Sequence, residues 1–116
     1  MNTTPSIKQF TYPVKDLAKA KALFSQLLGV QPYMDEAYYV GFRVGDQEIG
    51  LDPNGHSLGI TGPIGYFQVR EITESLQALL EGGAKILQTV KDVGGGKLIA
   101  AVKDADGNPI GLIQMP

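Results

Sequence analysis

The alternation of apolar and polar positions predicts the strands in the first half of the chain. In residues 6–12, apolar side chains would share one face of a strand and polar side chains the other. Residues 38–44 alternate in the same way, and Gly45-Asp46 is typical of a two-residue turn. Residues 47–52 would then return as the second strand of a hairpin, before Pro53-Asn54-Gly55 ends the first half.

A helix is predicted between the first strand and this hairpin. Asp16 is a common N-cap residue, and Gly29 is a residue that often ends a helix in the left-handed conformation. Between them, apolar positions recur at helical spacing, at Leu17, Ala20, Phe24, Leu27 and Leu28. This stripe would face the sheet.

The second half of the chain repeats this order of elements. A strand over residues 64–70 is followed by a helical stripe that ends at Gly82-Gly83. The stripe consists of Ile72, Leu76, Leu79 and Leu80. Further strands are predicted over residues 84–92, 97–103 and 109–114.

The two halves overlay as an internal repeat. Val14-Lys15-Asp16-Leu17 matches Val69-Arg70-Glu71-Ile72 at an offset of 55 residues, and Ile49-Gly50-Leu51 matches Ile110-Gly111-Leu112 at an offset of 61. We therefore predict a single domain over residues 1–116, with one repeat over about 6–57 and the other over about 62–116. Each repeat would bury one sheet face against its helix and leave the other face free to form a cup.

Composition and charge narrow the function. With 116 residues, 43% apolar and 19% charged, the chain has an ordinary globular composition. A net charge of −2, with both signs scattered, argues against nucleic acid or an anionic membrane as partner. The absence of cysteine excludes disulfides, thiolate nucleophiles and cysteine-bound metals. No apolar run approaches the length of a membrane helix.

The amino terminus bears on location. Residues 1–5 lack the basic segment and apolar block of a signal peptide. We therefore expect a cytoplasmic protein.

Three segments together resemble the vicinal oxygen chelate superfamily. They are Val14-x-Asp16-Leu17, Phe24-Ser25-x-x-Leu28-Gly29 and the closing segment 102–112, which contains Asp104-Ala105-Asp106-Gly107-Asn108. This superfamily includes glyoxalase I, extradiol dioxygenases and the fosfomycin- and bleomycin-resistance proteins. The resemblance covers nearly the whole chain. It implies an α+β fold of tandem βαβββ repeats that form curled mixed sheets with helices on the outer face, and it implies a homodimer.

The same resemblance implies where a divalent metal would bind. Enzymes of the superfamily typically use a His or Gln early in each first strand and a Glu in each last strand. Carried over to this chain, these positions are Gln9, Ile64, Gly50 and Gly111. Only Gln9 has a donor side chain, whereas a catalytic metal needs about three protein ligands. We expect no metal and no cofactor, although Glu48 and Asp52 flank Gly50 and leave a shifted carboxylate ligand open.

Cup-facing positions give the candidate ligand-binding residues. Strand alternation places one set of residues, mostly polar, aromatic or glycine, on the face away from the helices. This set is Gln9, Thr11, Tyr39, Gly50, Ile64, Tyr66, Gln68 and Gly111. Glycine within a strand lowers stability by about 0.5–1 kcal/mol, so its presence here predicts space for a small molecule. The alternative is that the glycines relieve crowding in a curled sheet.

These observations favour a small-molecule-binding protein of the bleomycin-resistance type. It would sequester a drug or metabolite rather than transform it. The alternative is a lyase, isomerase or dioxygenase with non-standard metal ligands, or a metal-free acid–base catalyst that uses His56, Glu48 or Asp52. A third hypothesis is an interaction module with a filled cup. The missing metal ligands favour a binding protein over an enzyme, but both alternatives stay open at this point.

Overall fold

A computed structural model describes residues 5–116 and confirms the βαβββ order in both halves. The first half contains β1 (Ile7–Pro13), α1 (Leu17–Leu28), β2 (Met34–Glu36), β3 (Tyr39–Val44), β4 (Gln47–Asp52) and a 3-10 turn (His56–Leu58). The second contains β5 (Ile64–Gln68), α2 (Ile72–Glu81), β6 (Lys85–Asp92), β7 (Leu98–Lys103) and β8 (Pro109–Gln114). The interpretation of the amino terminus as lacking a signal peptide concerns Met1–Thr4, which lie outside the described residues.

The chain divides into two compact units. The first unit spans Gln9–Ile64, and the second comprises residues 65–116 together with 5–8. Each unit contains one helix and one group of four strands. No helix of residues 5–116 is long and apolar enough to cross a membrane.

In the first unit, α1 covers one face of a sheet with the strand order β2-β3-β4-β1. β1 runs parallel to β4, and the other neighbouring strands are antiparallel. The core beneath the helix consists of Val40, Phe42 and Leu51, packed against Leu17, Ala20, Phe24 and Leu28. Leu27 was predicted to belong to this stripe, but it is 73% exposed, so the buried stripe is narrower than its spacing indicated.

Both predicted ends of α1 are confirmed. The Asp16 side chain accepts a hydrogen bond of 3.0 Å from the backbone N–H of Lys19, as an N-cap residue does. Gly29 adopts the left-handed conformation with φ of 71°, and its N–H donates to the Ser25 carbonyl. The helix is therefore capped at both ends by residues of its own segment.

In the second unit, α2 covers a sheet with the strand order β5-β8-β7-β6. Ile72 and Leu76 pack on Ala100, Val102 and Leu112. The beginning of α2 differs from that of α1, because Glu71 makes no side-chain cap. Instead, Gln114 Oε1 at the end of β8 accepts a hydrogen bond of 2.7 Å from the Ile72 N–H. The last strand thus caps the second helix.

Equivalent residues of the two sequence halves are paired in the same way in the two units. In the first unit Thr11 lies opposite Gly50 on the parallel β1–β4 pair. In the second unit Tyr66 lies opposite Gly111 on the parallel β5–β8 pair. Thr11 and Tyr66 are 55 residues apart, and Gly50 and Gly111 are 61 residues apart, which are the offsets between the two halves of the sequence. Equivalent residues are therefore opposite each other within each unit.

Candidate functional site

Polar side chains form a row across three strands of the first unit. Glu48 on β4 lies opposite Gln9 on β1 and opposite Arg43 on β3. The neighbouring row on the same face contains Thr11, Gly50 and Gly41 in register. Because alternate residues of a strand share a face, both rows lie opposite the core that α1 covers.

Two tyrosine rings fill the space above the glycine row. A Cβ added to Gly50 would overlap the ring and hydroxyl of Tyr39, and one added to Gly41 would lie 3.1 Å from ring carbons of both Tyr33 and Tyr39. The second unit repeats this arrangement, because a Cβ on Gly111 would overlap the ring of Tyr66. The space expected from the glycines is therefore occupied by the protein's own aromatic rings.

The hydroxyls of the two tyrosines converge on Glu48. Tyr33 donates a short hydrogen bond to Glu48 Oε2, and Tyr39 donates to the same oxygen at 3.3 Å. Glu48 is only 8% exposed. A carboxylate removed from water is stable only when donors replace the lost hydration, and hydrogen bonds to a charged acceptor are the stronger kind. The glycine row thus lets two rings lie close to the sheet and supply those donors.

Tyr33 is held as a proton donor. Burial is the main cause that raises its pKa well above the usual range of a phenol, and the hydrogen bond to Glu48 and the negative charge of that residue raise it further. Arg43 lowers the pKa without cancelling these effects, and its guanidinium carbon lies 4.0 Å from the centre of the Tyr33 ring. The Tyr33 N–H also donates to the Gly41 carbonyl at 2.9 Å, which fixes the start of the side chain.

Gln9 carries the one feature of this group that is not satisfied. Its Nε2 donates to Thr11 Oγ1 at 3.0 Å and to the Tyr39 hydroxyl at 3.3 Å, and the residue is only 6% exposed. Its Oε1 is buried and has no hydrogen-bond partner among the described residues. A buried acceptor without a partner destabilises a fold by about 1–3 kcal/mol, so such groups call for an explanation.

The structure brings together half of the predicted ligand-binding residues. Gln9, Thr11 and Tyr39 join Tyr33 and Glu48 in a group that we call the tyrosine–glutamate cluster, and this cluster lies over Gly50. The other predicted residues belong elsewhere: Tyr66 and Gly111 pair with each other, Gln68 is exposed, and Ile64 is buried without a polar atom to offer.

Tyr33 was not predicted from the sequence, because it lies before β2 in a segment without clear periodicity. The glycine row was the available signal of a close approach at this face, but it does not specify what approaches.

Two other acid–base candidates lie outside the cluster. Asp52 Oδ1 accepts the backbone N–H of Asn54 at 2.8 Å, which is a turn-stabilising role. His56 lies in the 3-10 turn, and its Nδ1 is buried without a hydrogen-bond partner in the described part of the chain. Of the three candidates from the sequence, Glu48 is the one that the tyrosines surround.

The residues do not fit a metal centre. Two residues that bind the same ion must be neighbours in space. The neighbour of Gln9 on β4 is Glu48, not Gly50, which the resemblance had suggested. The same position in the second unit, two residues before Gly111, is Pro109, which has no side-chain donor. These four positions, Gln9, Glu48, Ile64 and Pro109, therefore offer two donors where about three are needed, and Glu48 Oε2 already accepts from two phenols. Residues 5–116 contain no group of three or more His, Cys, Asp and Glu side chains that could hold a metal.

A surface cleft in the second unit lacks comparable chemistry. It lies beside the start of α2, where Gln68, Arg70, Glu71 and Glu74 line it with exposed side chains of both charges. Nothing in that lining is both buried and polar, so the tyrosine–glutamate cluster is the stronger candidate site.

The contact between Gly50 and Tyr39 predicts strong coupling between these positions. We expect Gly50→Ala to lower the free energy of unfolding by about 1–3 kcal/mol, because the new methyl group overpacks the ring. In a Tyr39→Ala background the same substitution should no longer destabilise the protein, because the overlap with the ring is gone and alanine is the better strand residue. Urea denaturation of the two single variants and the double variant measures this coupling.

Gly62→Ala is the control for this cycle, since a Cβ there meets no atom within 4 Å. If Gly50→Ala leaves the stability of the otherwise unchanged protein intact, the space above Gly50 is open, as the sequence analysis expected.

Comparisons with known proteins agree with this fold. The sequence model of the Glyoxalase/Bleomycin resistance protein/Dioxygenase superfamily matches residues 6–112. No curated protein matches the chain significantly. Among solved structures, hypothetical protein BH1468 from Bacillus halodurans C-125 is 13% identical with a TM-score of 0.74, over 98% of this chain and 96% of that one.

Two further structures are similar. A glyoxalase/bleomycin resistance protein/dioxygenase superfamily member from Vibrio splendidus 12B01 is 17% identical, covers 96% of this chain and 98% of its own, and has a TM-score of 0.70. Methylmalonyl-CoA epimerase from Mycobacterium tuberculosis is 17% identical, covers 100% and 93%, and has a TM-score of 0.69. At these identities the structures show a shared fold. The family model matches most of the chain and therefore shows the family as well. The chain belongs to the glyoxalase/bleomycin resistance protein/dioxygenase superfamily.

Proposed function

We propose that this protein binds a small molecule at the tyrosine–glutamate cluster without the help of a metal, and sequesters it rather than transforming it. The observation that carries the proposal is the unpartnered Oε1 of Gln9, a residue that is only 6% exposed. A purely structural polar cluster is stable when every member is satisfied. A ligand that forms a hydrogen bond with Gln9 Oε1 explains why this atom has no partner within the described protein.

The aromatic residues of the cluster suit such a role. Tyr33 remains 40% exposed although its hydroxyl is engaged with Glu48, so part of its ring is available for contact. Binding sites for small molecules combine apolar and aromatic surface with a few fixed polar groups. The cluster supplies both, since Tyr39 contacts the Gln9 carboxamide and Tyr33 shares the Glu48 acceptor with Tyr39.

The filled space above Gly50 supports the hypothesis of an interaction module, and it limits where a ligand can enter. Tyr39 is the ring that covers Gly50, and its hydroxyl hydrogen-bonds to both Gln9 and Glu48 at 3.3 Å. Its side chain is only partly buried. Rotation of this ring would expose the bare backbone of Gly50 and one side of Gln9. We therefore propose that a ligand enters where Tyr39 moves.

The metal-free character of the site is directly measurable. We expect purified, untagged protein to contain no stoichiometric metal, and calorimetric titration with Ni²⁺, Zn²⁺, Mn²⁺ or Fe²⁺ to show no binding at micromolar affinity. Two donors, one of them engaged with phenols, are too few to hold these ions tightly. One metal per chain, lost on Glu48→Gln substitution, would contradict the proposal.

A fragment screen tests binding at the cluster itself. We expect Glu48→Gln to weaken the fragments that bind the unchanged protein by roughly tenfold or more, because charge-assisted hydrogen bonds of about 1.5–3 kcal/mol hold the two rings in place. Protein-observed NMR gives the affinities, and thermal melting checks that the fold persists.

Asp52→Asn is the matched control for this screen. Asp52 lies on the same strand, on the far side of Gly50, and its asparagine variant keeps the oxygen that accepts from Asn54. An equal loss in both variants, or a screen without any binding fragment, would count against the cluster as the binding site.

Acid–base catalysis is the second candidate function, because a buried carboxylate beside two phenols is a group that can transfer protons. Two hydrogen bonds already occupy Glu48 Oε2, so that oxygen can accept a proton only when a phenol moves. Methylmalonyl-CoA is the probe to use, since an epimerase of that substrate shares the fold.

We expect the protein to incorporate no deuterium into methylmalonyl-CoA in D₂O above the uncatalysed rate, measured by ¹H NMR. Exchange that Glu48→Gln abolishes in a folded protein would establish catalysis instead of sequestration.

Assembly and location remain proposals. We propose a homodimer because the superfamily resemblance implies one, and we propose a cytoplasmic location. Scattered charges of both signs support a small-molecule partner rather than nucleic acid.

A further inference from the structure

We infer that the molecule bound at the tyrosine–glutamate cluster is a planar compound with an N–H or O–H group that donates a hydrogen bond to Gln9 Oε1. This inference rests on the proposed function and adds the chemical class of the ligand. It follows from the direction of the hydrogen bonds in the cluster.

The Gln9 amide group and the two tyrosine hydroxyls already donate to acceptors within the cluster. Gln9 Nε2 directs its two hydrogens to Thr11 Oγ1 and to the Tyr39 hydroxyl. The hydroxyls of Tyr39 and Tyr33 both donate to Glu48 Oε2. The buried atom left without a partner is an acceptor, Gln9 Oε1. A ligand that complements the cluster must therefore bring a donor.

The opposite orientation of the Gln9 carboxamide is disfavoured by the same network. With the amide reversed, Oε1 would face Thr11 and Tyr39, and the Tyr39 hydroxyl would have one proton for two acceptors. A carboxylate is the stronger acceptor, so the Tyr39 hydroxyl would continue to donate its proton to Glu48. The Tyr39 oxygen and the reversed Oε1 would then face each other as two acceptors. The orientation that leaves Oε1 unpartnered avoids this repulsion.

The surroundings of Tyr33 indicate the shape of the ligand. The partly exposed ring of Tyr33 already has a planar donor group against it, since the guanidinium carbon of Arg43 lies 4.0 Å from its centre. A planar donor molecule would match both the ring surface and the acceptor.

Pairs of small aromatic compounds that differ only in the donor test this inference. The probes are indole against 1-methylindole and phenol against anisole, with dissociation constants measured by protein-observed NMR. We expect the N–H or O–H member of each pair to bind the unchanged protein at least tenfold more tightly. This comparison needs no substitution, so it stands even if a variant fails to fold.

A variant then assigns the preference to Gln9. Gln9→Met keeps the length of the side chain and removes the acceptor, so the affinity ratio within each pair should fall to about one. Gln68→Met is the control, because Gln68 was predicted as a binding residue but is exposed and takes no part in the cluster. The ratio should persist in that variant.

The outcomes distinguish a wrong ligand class from failure of the proposed small-molecule binding. If both members of a pair bind equally to the unchanged protein, or if the preference survives in Gln9→Met, the inferred ligand class is wrong while small-molecule binding stands. If neither member of either pair binds and the wider fragment screen also gives no binding, the proposed function fails together with this inference.

Discussion

The first unit is organised around the need of one buried carboxylate for hydrogen-bond donors. Glu48 is held away from water on a central strand, where an uncompensated charge would be severely destabilising. Two phenols supply the donors, but their rings can reach the carboxylate only by lying close against the sheet. Gly41 and Gly50 provide that close approach because they have no side chains. The glycines, the tyrosines and the glutamate therefore form one interdependent arrangement.

Most of the fold could be predicted from the sequence because its signals are local. Helical spacing, the Asp16 cap and the Gly29 terminator act within a few residues, and the structure places α1 between them. The strand Gln47–Asp52 was predicted to the residue. β2 was not identified individually, since its three residues, Met34–Glu36, are too few for alternation to show. Leu27 was misassigned because spacing alone does not define how wide a buried stripe is.

The site was harder to predict than the fold because it depends on register between distant segments. Alternation correctly placed Gln9 and Thr11 on the face opposite the helix, but it does not show which residue of β4 lies opposite Gln9. The resemblance suggested Gly50, whereas pairing in the structure puts Glu48 there. Glycines in a sequence also look the same whether a ligand or a tyrosine ring covers them. Both ambiguities are resolved only by long-range geometry.

The two helices are capped in different ways, and this difference bears on the order in which the units can form. The N-cap of α1 joins residues three apart, so that helix has its stabilising contact as soon as its own segment exists. The corresponding contact of α2 joins residues 42 apart and waits for Gln114, near the end of the chain. Contacts between sequence-distant residues form slowly, because closing the long loop between them costs chain entropy. During synthesis the helix of the first unit can therefore be capped early, while the beginning of α2 is capped only after β8 has emerged.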